Sequence, residues 1–308
     1  MTSSTLSIPG LMTSSTLSIP GLMTSSTLSI PGLRKPTKEC QVEKVETCNV
    51  HISGCKPFYS GITILPKDRV MLVDKNNNKC ILLNNSHQVV KHYSLKERQH
   101  TGNLYDICVV SEEEVAVSVY DQKKIQILSV RDDVISPVRT ITTKHKCFGI
   151  TAAGKGEMVV VGDCGNNKYC WSLIRDRREV NYSDQYDSSS GQYTYIAMNN
   201  SKTRAYVTVP DTNSLHCFNM EGKKQYTYSP DNLKRPFGVA VDRDDNIYVV
   251  GYWSHNIHQL SPEGCLIQVI TTGVPQGPLA ICFNNSNNSF VITNHSNESE
   301  KVYKFKLK

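Results

Sequence analysis

RPFGVAVDRDDNIYVVGYWSHNIHQLSPEG, running from Arg235 to Gly264, holds three short apolar runs, Val239–Val241, Ile247–Val250 and Ile257–Leu260. Successive side chains point to opposite faces of a strand, so runs this short and alternating suit half-buried strands. Asp-Asp-Asn and Pro-Glu-Gly between them supply turn chemistry. Alone, the stretch is a three-stranded meander, which is not a domain. Its weight comes from fainter copies on both sides.

Aligned on this stretch, first strands are expected at Gly61–Leu65, Tyr105–Val110, Phe148–Ala153, Thr194–Asn199, Phe237–Asp242 and Leu279–Asn284. Their starts are separated by 44, 43, 46, 43 and 42 residues. Second and third strands follow in every unit, and fourth strands in five, the third unit's at Glu179–Ser183. A period of 40–45 residues with four strands per unit marks a β-propeller. The sequence therefore predicts an all-β, six-bladed propeller of four-stranded antiparallel blades over residues 38–308. The sixth unit stops at Lys308 after its third strand, while Val42–Ile52 is a strand without a unit. The economical placement makes this N-terminal strand the outer strand of the last blade, closing the ring and leaving no open gap.

Residues 1–33 are three identical copies of MTSSTLSIPGL, without charge or aromatic rings. Such a segment cannot bury enough apolar surface to offset its ordering entropy, and residues 1–37 are expected to form a disordered tail. The 308-residue chain is 39% apolar with a net charge of +6, enough for a core and only mildly basic. No apolar run approaches the ~20 residues that cross a bilayer, so no membrane association is expected. Eleven cysteines, an odd number spread among aliphatic neighbours, suit a reducing, cytoplasmic setting better than a disulfide framework. The Asn-x-Ser sequons at Asn84, Asn181, Asn284 and Asn294 are chance matches expected in an Asn-rich chain.

Pro-x-Gly-Val-Ala-Val-Asp, a turn, Ile-Tyr-Val, a polar loop, Asn-x-Ile and a turn ending in Gly describe the NHL repeat. Arg235–Gly264 resembles it closely, and Phe148–Ile150 with Val159–Asp163 resembles it in part. The region from Lys38 to Lys308 is similar to the C-terminal propeller of invertebrate tripartite-motif-like proteins. In that family the propeller follows the RING, B-box and coiled-coil segments of a ubiquitin ligase, none of which is present in this sequence. The resemblance thus implies the recognition module and not the catalytic one.

Several side-chain sets invite sharper readings. Cys40, Cys48, His51 and Cys55 form C-x7-C-x2-H-x3-C, but lack the closely paired cysteines of a zinc knuckle, and strand alternation turns Cys48 and His51 apart. No metal or cofactor is expected. Asp74, Asp121, Asp163 and Asp211 recur after second strands and read as turn-capping carboxylates. Positions beside the channel, Gly61, Tyr105, Phe148, Tyr195, Phe237 and Leu279, carry Asp106 as their lone carboxylate, too few for a divalent-ion hydrolase or lyase. No G-x-S-x-G or H-E-x-x-H motif appears. Catalysis is accordingly not expected.

Binding remains. The loops at one end of the propeller would carry Lys75, Lys123, Lys124, Lys146, Lys168 and Arg235, interleaved with Tyr105, Tyr120, Tyr252, Trp253 and His255. Aromatic rings with Arg are enriched at protein interaction hot spots, and basic groups beside stacking platforms also suit single-stranded RNA. The expectation is a non-catalytic substrate receptor for a protein partner, as the ubiquitin-ligase resemblance implies, with RNA binding as the alternative. A calcium-dependent propeller lactonase or lyase is the third class.

Overall fold

A computed structural model describes residues 40–95, 103–154, 156–166, 168–176, 178–181, 186–187 and 193–308. The expected N-terminal tail lies outside the described residues.

Strand β1 (Val42–Asn49) precedes six consecutive blades. Blade I is β2 (Tyr59–Leu65), β3 (Arg69–Asp74), β4 (Lys79–Leu83) and β5 (Val89–Ser94). Blade II is β6 (Leu104–Val109), β7 (Glu114–Val119), β8 (Lys124–Arg131) and β9 (Val134–Thr142). Blade III is β10 (Lys146–Gly154), β11 (Glu157–Gly165), β12 (Lys168–Arg175) and β13 (Arg178–Asn181), with β14 (Tyr186–Asp187) also pairing with β12. Blade IV is β15 (Ile196–Met198), β16 (Arg204–Val209), β17 (Ser214–Asn219) and β18 (Lys224–Tyr228). Blade V, grown from the opening stretch, is β19 (Pro236–Val241), β20 (Ile247–Gly251), β21 (Asn256–Leu260) and β22 (Leu266–Ile270). Blade VI is β23 (Pro278–Asn284), β24 (Ser289–Asn294) and β25 (Lys301–Leu307).

Strand β1 completes blade VI. It pairs antiparallel with β25, from Val42 opposite Leu307 to Asn49 opposite Lys301, with a bulge between Lys44 and Glu46. The six-bladed all-β architecture and its N-terminal closure are therefore as the repeat and its end-accounting predict. Boundaries differ where pairing is thin. The inner strand of blade IV spans only Ile196–Met198 rather than six residues, and the outer strand of blade III begins one residue before the expected Glu179.

The inner strands approach so closely that side chains are excluded at alternate blades. A Cβ on Gly61 would lie 2.8 Å from Asp106 Cα, one on Gly149 2.8 Å from Tyr195 Cα, and one on Gly238 2.6 Å from the Leu279 carbonyl oxygen. At the intervening boundaries hydroxyls bridge instead. Ser118 Oγ donates to the Phe148 carbonyl at 2.6 Å, tying blade II to blade III. Thr293 Oγ1 donates to the Tyr59 carbonyl at 2.8 Å, tying blade VI to blade I. Further out, Tyr169 pairs with His216 and Tyr228 with His258, each at 2.7 Å across a blade boundary.

Two outcomes follow from this construction. Deleting Cys40–Ser53 removes the closing strand and should abolish the cooperative thermal transition; an unchanged melt would contradict closure. Gly238→Ala forces backbone displacement between blades V and VI and should cost about 1–3 kcal/mol in urea unfolding, read as a lower midpoint with an unchanged slope.

Candidate active site at the channel mouth

All six blades send an aromatic or imidazole ring to the end of the channel where the inner strands begin. Phe58 enters β2, Tyr105 lies in β6, Phe148 in β10, Tyr195 just before β15, Phe237 in β19, and His295 follows β24. Tyr120, Tyr193 and Tyr252 join from neighbouring turns. Adjacent rings touch: Tyr105 with Phe148 at 5.2 Å and with Tyr193 at 6.1 Å, Tyr193 with Phe237 at 5.6 Å, and Phe237 with Tyr252 at 4.8 Å. Tyr252 stacks on His295 at 6.5 Å, and His295 meets Phe58 edge-on at 4.3 Å. Tyr252 Oη lies 3.2 Å from His295 Nδ1. The result is an annulus of rings around the channel.

Lys75 closes the remaining arc. Its ammonium lies over four rings, 5.5 Å from Phe58, 5.5 Å from Tyr105, 5.8 Å from Tyr120 and 5.0 Å from Tyr193. The residue reaches this place because Asp74, directly before it, accepts from the backbone amides of Phe58 and Asn77 and fixes the turn. Among the described residues, no carboxylate lies within ion-pair distance of Lys75. Desolvation holds its pKa below the ordinary lysine value, with Asp121 opposing from a distance. Ring faces attract the cation and offset part of that penalty. Desolvation, and then the charges of Lys56 and Lys75, also lower the pKa of His295, favouring neutral imidazole.

The sequence-selected residues divide. Lys75, Tyr105 and Tyr120 meet in one group, which Lys146 joins 5.7 Å above Tyr120. Arg235 lies 4.7 Å over Trp253 and 5.9 Å from Phe237, and Phe237 links this second group to Tyr252. Tyr105 is fully buried and presents no surface, whereas Trp253 is 60% exposed. Lys123, Lys124 and Lys168 stand at the turn and strand starts of blades II and III, outside these ring contacts. His255 has a local task, its Nδ1 accepting from the Gly277 amide at 3.0 Å. Sequence reasoning missed Phe58, Tyr193 and His295. Each lies in an irregular segment outside the strand pattern, and their common feature, position just before an inner strand or just after a second one, was available as a signal.

Beneath the annulus the channel holds a cavity of about 210 Å³ lined by Asp106, Cys108, Tyr195, Lys202 and Cys282, among others. Asp106 is buried, and its two oxygens accept from the amides of Ile107 at 2.9 Å and Ile150 at 3.0 Å. Desolvation outweighs both bonds and pushes its carboxyl up to about 7. Asp74 and Asp163 cap their own turns, accepting from the Asn77 and Gly165 amides, whereas Asp121 accepts from the backbone and side-chain nitrogens of Asn103 rather than from its own turn. None of the eleven cysteines forms a disulfide, and among the described residues no helix is long and apolar enough to cross a membrane.

No family profile matches the chain, and no curated protein matches its sequence. Solved structures do. Virginiamycin B lyase from Staphylococcus aureus is 16% identical with a TM-score of 0.60, over 88% of this chain and all of that one. A streptogramin B lyase is 15% identical with a TM-score of 0.63, over 85% and 98%. A luciferin-regenerating enzyme is 13% identical with a TM-score of 0.64, over 88% and 97%. At such identities the likeness establishes the propeller fold. It also corrects the functional expectation. The non-catalytic recognition module, with its protein-receptor and RNA-binding forms, rested on a lone channel carboxylate and the lack of catalytic motifs, and these three structural neighbours are enzymes.

The buried carboxyl of Asp106 gives a pH signature. Its folded pKa is above the unfolded value, so the folded chain binds the extra proton between about 4 and 7. Its contribution is complete below that window and is lost as pH rises through 7. Asp106→Asn should flatten this part of the stability profile, checked by urea midpoints from pH 5 to 8.

Proposed function

We propose that the aromatic annulus is the active site of an elimination-type enzyme that cleaves an ester or lactone bearing a planar ring, with Lys75 as proton acceptor. The observation that carries this reading is the Lys75 side chain itself, partly desolvated among four rings with no carboxylate among the described residues within ion-pair distance. A lysine with a lowered pKa in an apolar enclosure has a larger neutral fraction at working pH and can act as a base. Lyase-named structural neighbours support the reaction class.

The steps balance without water. Neutral Lys75 Nζ takes a proton from a carbon next to the bond to be broken, the electron pair becomes a carbon–carbon double bond, and the C–O bond breaks. The leaving carboxylate collects the released negative charge. Lys146 and Arg235, the cations above Tyr120 and Phe237, suit that carboxylate, and the rings suit the planar part of the substrate. Neutral His295, paired with Tyr252, orients the substrate from the neighbouring blade VI, across Phe58 from Lys75. The repeat unit is assigned to the NHL type on the match of Pro236–Asp242 and Ile247–Val249 to that pattern.

Quinupristin, the compound held by the Staphylococcus aureus lyase in one solved structure, is the first probe. Turnover should give a product with a new double bond and no oxygen from labelled water. Lys75→Met should lower the rate by about 10²–10⁴-fold. Activity should rise with pH as Lys75 loses its proton, with the ascending limb below the ordinary lysine value because the pKa is lowered. Label in the product, opening of dihydrocoumarin in its place, or an unaffected Lys75→Met variant would each overturn the assignment.

A further inference from the structure

The closing strand carries a set of side chains that neither the fold nor the channel mouth uses. Glu46 and Cys48 are two residues apart beyond the bulge in β1 and share one face of that strand. His87, from the turn joining β4 to β5 in blade I, meets them there. The carboxylate, thiol and imidazole ligand atoms all lie within 4.8 Å of one another.

His87 is placed at a cost. Its φ is +56°, a left-handed conformation uncommon for non-glycine residues, though Asn, Asp and His adopt it more readily than most. The turn is held around it by bonds from the His87 amide to the Asn84 carbonyl and from the Ser86 and Gln88 amides to Asn84 Oδ1. The ring is nonetheless buried, with 5% of the residue exposed. Its Nδ1 stands 3.1 Å from Glu46 Oε2, within ion-pair distance but outside hydrogen-bond geometry. A buried ring nitrogen that faces a carboxylate and a thiol without a well-formed hydrogen bond is placed as a metal ligand would be.

We infer that Glu46, Cys48 and His87 form a binding site for a zinc-class divalent ion, which fastens the closing strand of blade VI to blade I. Thiolate and imidazole together select zinc-like ions over calcium or magnesium, and carboxylate is a common third ligand. Zinc bonds of about 2.0–2.3 Å place tetrahedral ligands about 3.3–3.8 Å apart, so the cluster needs only small side-chain rotations. Three protein ligands leave the fourth position for water. The C-x7-C-x2-H-x3-C spacing around Cys48 was set aside as a zinc site because Cys48 and His51 turn apart; the fold instead brings Glu46 and a histidine 39 positions downstream to Cys48. The site lies at the outer edge of the ring, apart from the channel.

Cobalt titration of the full chain, stripped with chelator, tests this. One equivalent should bind with a thiolate-to-cobalt charge-transfer band and visible absorption of tetrahedral intensity. Cys48→Ser should abolish the charge-transfer band. Glu46→Gln, at an exposed position that leaves folding intact, should weaken binding at least tenfold. Zinc should raise the thermal midpoint of the parent chain and leave that of Cys48→Ser unmoved. A band that survives in Cys48→Ser, affinity unchanged in Glu46→Gln, or no stoichiometric binding would overturn the site; other thiols such as exposed Cys55 and Cys265 would produce the first of these.

Discussion

The approach of inner strand to inner strand sets every other dimension of this ring. At Gly61, Gly149 and Gly238 the backbone of the next blade occupies the space a methyl group would need. At the equivalent positions of blades II, IV and VI stand Asp106, Ile196 and Ala280, so contact without a side chain alternates with contact through one. Asp106 shows the second mode most clearly, reaching across to the Ile150 amide while Ser118 behind it reaches to the Phe148 carbonyl. Three glycines and a few hydroxyl bridges thus draw six separate sheets into one channel.

That narrow channel explains both the annulus and the cavity below it. At the strand starts Tyr105, Phe148 and Phe237 pack ring against ring with neighbouring blades and cover the channel end. Tyr195 Oη reaches across to the Ser60 carbonyl at 2.6 Å, bracing blade IV against blade I. Two strand-turn positions further out, the rings of Tyr120, Tyr193 and Tyr252 are only half-buried, and the cations stand against these. Buried rings provide rigidity, and the half-buried ones provide a surface.

Much of this was legible in the sequence because propeller blades repeat locally. Blade V shows all the signals in thirty residues, and the others could be found from it by spacing alone. The closure of blade VI by Val42–Asn49 followed from counting strands at the two ends. Interblade geometry was a different matter. Lys75 and Tyr193 are adjacent only because blades I and IV face the same axis, and Cys48 meets His87 only because the ring closes. Neither pair has any periodic relation in the chain. The enzyme test applied to the sequence looked for carboxylates and metal ligands at the strand starts, and it had no way to register an amine desolvated by rings from blades I, II and IV.

The distribution of charge argues that the mouth is more than packing. Filling the end of a narrow channel needs only apolar bulk, which leucine or methionine would supply without desolvating a charge. Here Lys75 is half-buried with no carboxylate among the described residues within ion-pair distance, and His295 is held toward the neutral form on the adjacent blade. Partial desolvation of a cation is destabilising by itself, and the surrounding rings return only part of that cost. Asp121 is the nearest source of relief, yet its carboxylate is committed to the backbone and side-chain nitrogens of Asn103. The fold therefore holds an amine with a lowered pKa beside further cations, with no carboxylate among the described residues within ion-pair distance of it. Both features oppose stability at the same place, and a reacting ligand that delivers a proton to one and negative charge to the other is the physical circumstance in which they would be satisfied together.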